Sequence, residues 1–207
     1  MANLYSQYIK RSLDIVAGLA SLPIVIASLL ICAPLIKADD GGPVFYVSQR
    51  RGYKGKLFKM YKFRSMKVNA PLVMGADGGT LSSAEDSRLT RVGSFLRRTS
   101  IDELPQLLNV LKGDMSLIGP RPNMPGDDPS TYSWAKRHRL EAKPGITGYS
   151  QAYFRNSISP DERYELDCYY VDNISFSLDA MILLKTVETV LSSKNINANN
   201  GGKEVRG

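Results

Sequence analysis

Two adjacent acids, Asp102 and Glu103, stand at the start of an apolar segment in the stretch "SIDELPQLLNVLKGDMSLIGPRP". Adjacent ionised carboxylates repel each other, and a divalent cation or a neighbouring arginine relieves that repulsion. Arg121, whose backbone is restricted by flanking prolines, is one such neighbour, and Arg97 and Arg98 are others. A carboxylate nucleophile, a second acid that handles protons, and magnesium with arginine to neutralise phosphoryl oxygens would together support phosphoryl transfer.

Helix capping is the alternative explanation for the same acids. Ser100 and Glu103 match a capping box, in which the two side chains satisfy free backbone N–H groups. With Ser100 as the N-cap, however, Pro105 would be the fifth helical residue and would remove an interior hydrogen bond. Pro105 fits a regular helix that begins at or after Asp102, and Asp102 could itself be a plain N-cap. Capping and catalysis therefore both remain open on spacing alone.

Leucines predict which face of this helix is buried. Leu104, Leu107, Leu108 and Leu111 recur at i, i+3, i+4 and i+7, the spacing of one helical face. Gly113 is a typical helix-ending residue. We therefore expect these leucines to face the core and the helix to end near Gly113.

A long uncharged run precedes all of this. Ile15 to Ile36 reads "IVAGLASLPIVIASLLICAPLI", 22 residues that as a helix would reach ~33 Å, enough to cross a bilayer core. Pro23 near its middle should kink the helix. No small-residue cleavage site follows the run, which disfavours a signal peptide. A buried core helix of a soluble protein does not suit so long an apolar run, which leaves a spanning helix and a re-entrant helix that breaks at Pro23.

Charges on both flanks favour the re-entrant path. Basic residues precede the run at Lys10 and Arg11 and follow it at Lys37, Arg50, Arg51, Lys54 and Lys56. A spanning helix cannot satisfy the positive-inside rule at both ends, whereas a segment that returns to the same side can. We therefore predict a re-entrant membrane helix.

Two basic elements follow the membrane run. The segment "PVFYVSQRRGYKGKLFKMYKFRSM" predicts two short strands around a turn, with Lys62 and Arg64 two residues apart on one face. This pair could grip phosphate or form a solvated strand face. The segment "DSRLTRVGSFLRRTS" predicts an amphipathic basic helix, capped by Asp86 or Ser87, that suits an anionic membrane surface.

Three more helices are predicted downstream. One begins at "DDPSTYSWAKRHRLEAK" with Asp128 as its cap, and the next is the polar "SPDERYELDCYYVDN", whose acids we expect on a solvated face. The last runs from about Leu178 to Leu191 and is too short to span a bilayer. The tail from residue 193 onward has the composition of a flexible segment.

Composition limits the function classes. A chain of 207 residues with 43% hydrophobic residues suits one domain plus an attached element. A formal net charge of +7 predicts an anionic partner: nucleic acid, a phospholipid surface or a phosphorylated small molecule. Cys32 and Cys168 have neither disulfide-framework nor zinc-site spacing. The basic and aromatic interleaving of common RNA-binding motifs is missing, so we expect no nucleic-acid partner.

Four blocks of the chain resemble the bacterial sugar transferases, also called monotopic phosphoglycosyl transferases. The blocks are "GPVFYVSQRRGYKGKLFKMYKFRSM", "RLTRVGSFLRRTSIDELPQLLNVLKGDMSLIGPRP", "KPGITGYSQ" and "YELDCYYVDNISFSLDAMILLKT". The resemblance runs from about residue 8 to residue 190. Because only a few residues precede the membrane run, the chain looks like the small, single-domain members of the family.

The resemblance implies an activity and a location. The expected enzyme transfers a sugar 1-phosphate from a UDP-sugar to a polyprenol phosphate, with undecaprenyl phosphate the expected carrier, and releases UMP. This would be the first membrane step in assembling a glycan or glycoconjugate. A re-entrant helix would hold the catalytic domain on the cytoplasmic face of the bacterial inner membrane, among its phospholipids, without crossing it.

The resemblance also implies roles for individual residues. The family's catalytic pair falls on Asp102 and Glu103: Asp102 would be the nucleophile that forms an aspartyl phosphosugar and helps to hold Mg²⁺, and Glu103 the base for the lipid phosphate. Arg121 matches the arginine of a "PRP" motif that contacts phosphate. Other basic positions in the matching blocks are Lys62, Arg64, Arg97 and Arg155.

One loop departs from the family pattern. Where members often carry "GITGWAQVNGRN", this chain has "GITGYSQAYFRN", with Tyr149 in place of tryptophan and Phe154 in place of glycine. These differences bear on which sugar the enzyme accepts, if this loop contacts the donor. They leave the expected catalytic residues in place.

The expected fold is α+β and mostly helical, with an N-terminal re-entrant membrane helix broken at a proline, amphipathic surface helices and a short β-hairpin. We divide it into a membrane anchor (1–38), a cytosolic catalytic domain on the membrane surface (39–192) and a flexible tail (193–207). Two other functions compete. A non-catalytic basic module could bind anionic lipid, or the lipid phosphate could attack the donor directly, without a covalent step.

Overall fold

The computed structural model describes residues 4–71, 86–126, 128–154 and 158–191. These residues form a mostly helical α+β fold, as predicted, with two small sheets. In chain order the elements are α1 (Lys10–Asp40), β1 (Phe45–Arg51), β2 (Leu57–Phe63), α2 (Arg91–Thr99), α3 (Gln106–Lys112), β3 (Ser116–Ile118), α4 (Trp134–His138), β4 (Gly145–Thr147), α5 (Tyr149–Tyr153), α6 (Pro160–Asp172) and α7 (Phe176–Leu191). The predicted tail lies outside the described residues.

Helix α1 contains the predicted membrane run. Together with a short π-helical turn before it, Tyr5–Asp40 is the one helix within the described residues that is long and apolar enough to cross a membrane. The helix is continuous through Pro23 and Pro34, so a proline break is not confirmed. It ends at Gly41, whose left-handed backbone (φ 73°) suits a glycine. The predicted domain boundary after residue 38 therefore falls inside the helix.

One stripe of α1 packs against the rest of the protein. The buried residues of α1 are Asp14, Gly18, Val25, Cys32 and Ile36, and their spacing of four and seven residues places them on one face of a helix. Most of the remaining circumference carries exposed apolar side chains, among them Leu19, Ile24, Ile26, Leu30 and Ile31. A broad exposed apolar surface of this kind matches a lipid environment better than water.

Two pairs of strands form the small sheets. β1 and β2 pair antiparallel with Val47 opposite Tyr61, which confirms the predicted hairpin. Its turn is tight, with Lys54 and Gly55 both at positive φ (52° and 75°). β3 and β4 pair in parallel through Ser116 opposite Gly145. The parallel pair was not predicted, because three-residue strands leave too short a pattern to recognise.

The buried face of α3 differs from the predicted one. None of the four leucines is fully buried, and Leu108 is 38% exposed. The residues facing inward are Gln106, Asn109 and Val110. Asn109 explains the rotation, because its amide bonds the backbone of β2, accepting from Tyr61 N (3.0 Å) and donating to Lys59 O (2.7 Å). The leucine side of α3 turns instead towards α1, where Leu111 lies against Gly18.

Helix α2 begins later than predicted. Its N-cap is Thr90, whose hydroxyl accepts a hydrogen bond from Gly93 N (2.9 Å), so the prediction of Asp86 or Ser87 as the cap was wrong. The Asp39 carboxylate at the end of α1 accepts from Val92 N (2.9 Å). The start of α2 is therefore fixed directly to the anchor helix.

The interior consists of apolar clusters that join the anchor to the domain. Cys32 and Ile36 of α1 pack with Phe63 of β2 and Leu96 of α2. A second cluster, formed by Ile118, Ala152, Tyr170 and Ile182, lies under the last three helices.

The described elements are also joined through Asp179 of α7, which accepts from Tyr5 Oη (2.7 Å) and Lys10 Nζ (2.6 Å). The two ends of the described chain are therefore held together.

Candidate active site

The backbone places Asp102 and Glu103 at a sharp junction between α2 and α3. Ser100 ends α2 in the left-handed conformation (φ 58°), and Ile101–Glu103 form one turn of 3-10 helix. Pro105 stands immediately before α3, where its missing N–H costs nothing. The sequence prediction that the regular helix begins at or after Asp102 is confirmed, since α3 begins at Gln106.

The capping explanation does not account for the acids. Within the described residues the Ser100 hydroxyl forms no cap hydrogen bond; its carbonyl instead accepts from Glu103 N (3.2 Å). Asp102 is not the N-cap of α3, a position that Pro105 occupies. The Glu103 carboxylate is used elsewhere, in an ion pair with a lysine. Neither acid therefore serves as a helix cap.

Asp102 is a desolvated carboxylate. The residue is 7% exposed and follows Ile101, which packs against the cluster that joins α1 to α2. The pKa of Asp102 is raised to about 6: burial is the largest cause and the Glu103 charge adds to it, while the positive charges of Lys62 and Arg97 oppose the shift. A carboxylate with little water around it and a raised pKa is more nucleophilic than a solvated one.

The pKa of Glu103 is shifted in the opposite direction to that of Asp102. Its carboxylate pairs with Lys62 Nζ of β2 at 2.5 Å. Burial raises its pKa, but the charges of Lys62, Arg121 and Arg97 and the hydrogen bond from Lys62 outweigh that effect, so the pKa of Glu103 lies below its usual value. The two neighbouring acids therefore have pKa values that are pushed apart, a common arrangement in catalytic carboxylate pairs.

Three separate elements bring cations to the acids, and all three cations were predicted. Lys62 comes from β2, Arg97 from the last turn of α2, and Arg121 from the segment after β3. Arg97 is partly buried and its Nε donates to Ser65 Oγ (3.1 Å). Burial lowers the pKa of Arg97, and the charge of Asp102 acts against this. The result is an acidic pair surrounded by positive charge, which suits a substrate that carries several phosphate charges.

One further predicted phosphate-binding residue, Arg64, is not placed in this group. Arg64 is 6% exposed, and its guanidinium makes a bidentate ion pair with Asp40 and donates to Pro43 O (2.6 Å). These contacts fasten the end of α1 to the end of β2, so they explain Arg64 as a structural residue. Arg155 lies outside the described residues.

Arg50 was missed as a candidate in the sequence. It sits in β1, and burial followed by the charge of Arg121 lowers its pKa. Arg50 and Arg121 are therefore close enough for their positive charges to repel each other. Arg50 lies within the segment that the sequence predicts as the first strand of the hairpin, but it was interpreted only as a charge flanking the membrane run.

The acids could hold a divalent cation with help from a substrate. No group of three or more His, Cys, Asp or Glu side chains that could hold a metal occurs in the part of the chain that the structure describes. Mg²⁺ commonly uses one or two carboxylates together with substrate phosphates and water. Asp102 with Glu103 fits that donor set, and the three nearby cations would disfavour a bare metal until phosphate is present.

Comparison with known proteins adds an independent result. Residues 5–193 match the model of the family described as bacterial sugar transferase. The chain is 44% identical over 192 residues to the uncharacterized sugar transferase EpsL of Bacillus subtilis (strain 168), covering 93% of this chain and 92% of that protein. The matched span agrees with the extent of the resemblance seen in the motifs.

Two relatives have more specific names. One is the undecaprenyl-phosphate galactose phosphotransferase of Salmonella typhimurium, 43% identical over 202 residues, covering 92% of this chain and 42% of that protein. The other is the UDP-N-acetylgalactosamine-undecaprenyl-phosphate N-acetylgalactosaminephosphotransferase of Aeromonas hydrophila, 39% identical over 192 residues, covering 89% of this chain and 44% of that protein. The chain spans less than half the length of both.

Proposed function

Because the chain belongs to the bacterial sugar transferase family, we propose that it transfers a sugar 1-phosphate from a UDP-sugar to a polyprenol phosphate, with undecaprenyl phosphate as the expected carrier, and releases UMP. The observation that carries this proposal is the pair Asp102 and Glu103, one desolvated and one ion-paired, set among Lys62, Arg97 and Arg121. The relatives named as undecaprenyl-phosphate phosphotransferases support the lipid acceptor.

The first step is attack by the Asp102 carboxylate on the sugar-linked phosphorus. A new bond forms between an Asp102 oxygen and phosphorus, and the bond from phosphorus to the bridging oxygen breaks. UMP leaves with the electron pair, and an aspartyl phosphosugar remains. With a pKa of about 6, Asp102 is mostly ionised at pH 7 while remaining poorly solvated.

The second step is attack by the lipid phosphate on the same phosphorus. The bond to Asp102 breaks, its carboxylate is restored, and the product is a polyprenyl diphosphate sugar. The lowered pKa of Glu103 keeps it ionised. At pH 7 most of the acceptor phosphate, whose second ionisation lies near pH 6, is already the dianion; Glu103, a weaker base because of its lowered pKa, takes the proton only from the minority that still carries one.

The surrounding cations bind and orient the phosphates. In this mechanism Arg121 and Arg97 offset the charge that accumulates on phosphoryl oxygens in both steps. Lys62 holds Glu103 in place through their ion pair. Mg²⁺, held by Asp102 with Glu103 and substrate oxygens, would supply further neutralisation of phosphate charge.

The packing of α1 supports a monotopic anchor on the cytoplasmic face of the inner membrane. The same folded domain contacts α1 near both ends: Arg11 donates to Val110 O (2.6 Å) and Leu111 O (2.9 Å), and Asp40 pairs with Arg64. A helix that crossed the bilayer would separate its ends by the full membrane thickness. Contacts of one domain along the whole helix instead favour a path within one leaflet, as the flanking basic residues do.

Asp14 strengthens this interpretation. It is 4% exposed and accepts from Ser116 Oγ (3.1 Å) and Leu117 N (2.9 Å) of β3. A carboxylate inside an apolar helix is costly unless it is hydrogen-bonded. This bond is made with the domain, so the domain must lie beside the start of α1 and not beyond it.

The test is UMP release by the protein purified in detergent. The protein receives a panel of UDP-sugars with Mg²⁺, with or without polyprenol phosphate. We expect sustained release with at least one donor only when lipid is present. A folded protein that releases no UMP from any donor, but binds anionic vesicles in a salt-sensitive way, would support the non-catalytic lipid-binding module instead.

A further inference from the structure

Arg139 is the most deeply buried cation among the described residues. It follows α4 in a short 3-10 turn and is 2% exposed. Its Nε donates to Asp167 Oδ2 (2.8 Å), and Nη2 reaches the same oxygen (2.6 Å). Such burial is tolerated only where a guanidinium is both paired and fully hydrogen-bonded.

The remaining donors of Arg139 are directed at the segment that carries Arg121. Nη2 donates to the carbonyl of Arg121 (2.6 Å), and Nη1 donates to Asn123 Oδ1. Two of the three nitrogens of one buried guanidinium are therefore bonded within three residues of a proposed phosphate-binding arginine.

The same segment is fixed from its other side by the hairpin. Arg51 N donates to Asn123 O (2.9 Å), and Asn123 N donates to Arg51 O (3.1 Å). The segment around Arg121 is therefore held between the end of β1 and the buried guanidinium. The Arg121 side chain is exposed and lies close enough to Glu103 to lower the pKa of Glu103.

We propose that Arg139 is a positioning residue: through the Arg121 carbonyl and the Asn123 amide it fixes the backbone of Arg121, so that the Arg121 side chain meets the substrate phosphate beside Glu103. This rests on the function proposed above. Only an arginine can do this, because its planar fork presents several donors at once, whereas a lysine ammonium is a compact charge on a flexible stem.

Asp167, the ion-pair partner of Arg139, connects the same hydrogen-bond network to another loop. Asp167 of α6 is 1% exposed and also accepts from Ser150 Oγ (2.8 Å) at the start of α5. Ser150 lies in the "KPGITGYSQ" block. One buried network therefore fixes both the Arg121 segment and this loop relative to each other.

A double-mutant cycle tests the proposal. Arg139→Lys, Arg121→Ala and the double variant are compared by kcat/KM for lipid-dependent UMP release. Misplacement by about 1 Å can cost about 100-fold in rate, so we expect Arg139→Lys to lose between about 10- and 100-fold in the presence of Arg121. In the Arg121→Ala background the same change should cost less than about 2-fold, since the side chain to be positioned is already missing.

A purely structural role predicts a different outcome. Loss of general stability would lower activity by the same factor in both backgrounds, and that result would overturn the proposal. If Arg139→Lys does not fold, Asn123→Ala enters the same cycle, because it removes one acceptor of Arg139 while the pairing with Asp167 remains. Its loss should likewise depend on Arg121.

A measurement without turnover separates this proposal from the proposed function. A nitroxide spin label is attached at Arg121→Cys or, as a control, at Glu188→Cys, a 65% exposed position on α7. Arg139→Lys should increase the mobility of the label at position 121 and leave the label at position 188 unchanged. Equal mobility at position 121 with and without Arg139 would refute positioning, whereas a wild type without UMP release would refute only the proposed function.

Discussion

Asp102 and Asp167 are both buried carboxylates near arginines, but they differ in how fully hydrogen bonds compensate their negative charges. Asp167 accepts three hydrogen bonds, two from Arg139 and one from Ser150. Asp102 stays unfavourably desolvated beside a second acid, with a pKa of about 6. The fully paired Asp167 carboxylate joins separate structural elements. The ionised Asp102 carboxylate is poorly stabilised by its surroundings, and this makes it more reactive as a nucleophile.

The largest contrast is expected in turnover. Asp102→Asn removes the proposed nucleophile, so we expect UMP release to fall by at least about 10³-fold, equal to about 4 kcal/mol in the barrier. The measurement is the initial rate of UMP release with the preferred donor, lipid and Mg²⁺. The variant should remain folded and membrane-associated. Activity within a few-fold of the wild type would exclude Asp102 as the nucleophile.

The next contrast is in stability. Asp167→Ala leaves the Arg139 guanidinium buried without its counter-charge, which typically costs about 3–5 kcal/mol. We expect a marked loss of the free energy of unfolding in detergent, measured by denaturant titration.

A matched control lies on the same helix. Asp172 pairs with His138 at 2.8 Å but is 55% exposed, and surface ion pairs are worth at most about 1 kcal/mol. Asp172→Ala should therefore be almost neutral. If the two aspartate variants are equally stable, the buried network has no special structural importance.

The smallest contrast is the pH dependence of stability. Folding raises the pKa of Asp102 from the usual 3.8 to about 6, so between these values the folded protein binds more protons than the unfolded chain. The contribution of Asp102 to wild-type stability should therefore fall as pH rises through this window, by about 3 kcal/mol in total at about 1.4 kcal/mol per pKa unit. Asp102→Asn lacks this loss.

The measurement compares melting temperatures of the wild type and Asp102→Asn at pH 4.5 and pH 7.5 without metal. The difference should grow in favour of the variant at the higher pH. A difference that does not change with pH would show that Asp102 is not strongly desolvated in the folded protein.

Local chemistry made part of the site predictable from sequence. Pro105 argued against Ser100 as the helix start, because a proline cannot donate an interior hydrogen bond. The adjacent acids, the rigid Arg121, Arg97 and Lys62 could all be named from residue type and spacing, and the resemblance assigned Asp102, Glu103 and Arg121 their roles. The structure places all of these residues in one group.

Ion pairs and hydrogen bonds between residues far apart in the chain could not be predicted from local sequence patterns. Arg64 and Asp40 are 24 residues apart, and Arg139 and Asp167 are 28 apart, so no local pattern joins them. The acids of α6 were predicted on a solvated face, yet Asp167 is 1% exposed because its partner lies in a separate turn. The leucine pattern of α3 failed for a similar reason: Asn109 had a backbone partner in β2 that the sequence does not reveal.

The most direct test of the central claim is a single turnover without acceptor lipid. Enzyme in excess of its preferred UDP-sugar is mixed with Mg²⁺ and quenched on the millisecond scale, and both released UMP and the mass of the Asp102 peptide are measured. A covalent mechanism predicts UMP release of up to one per donor without lipid, together with a sugar phosphate adduct on that peptide that polyprenol phosphate removes. No UMP and no adduct until lipid is added would contradict it and favour direct attack by the lipid phosphate.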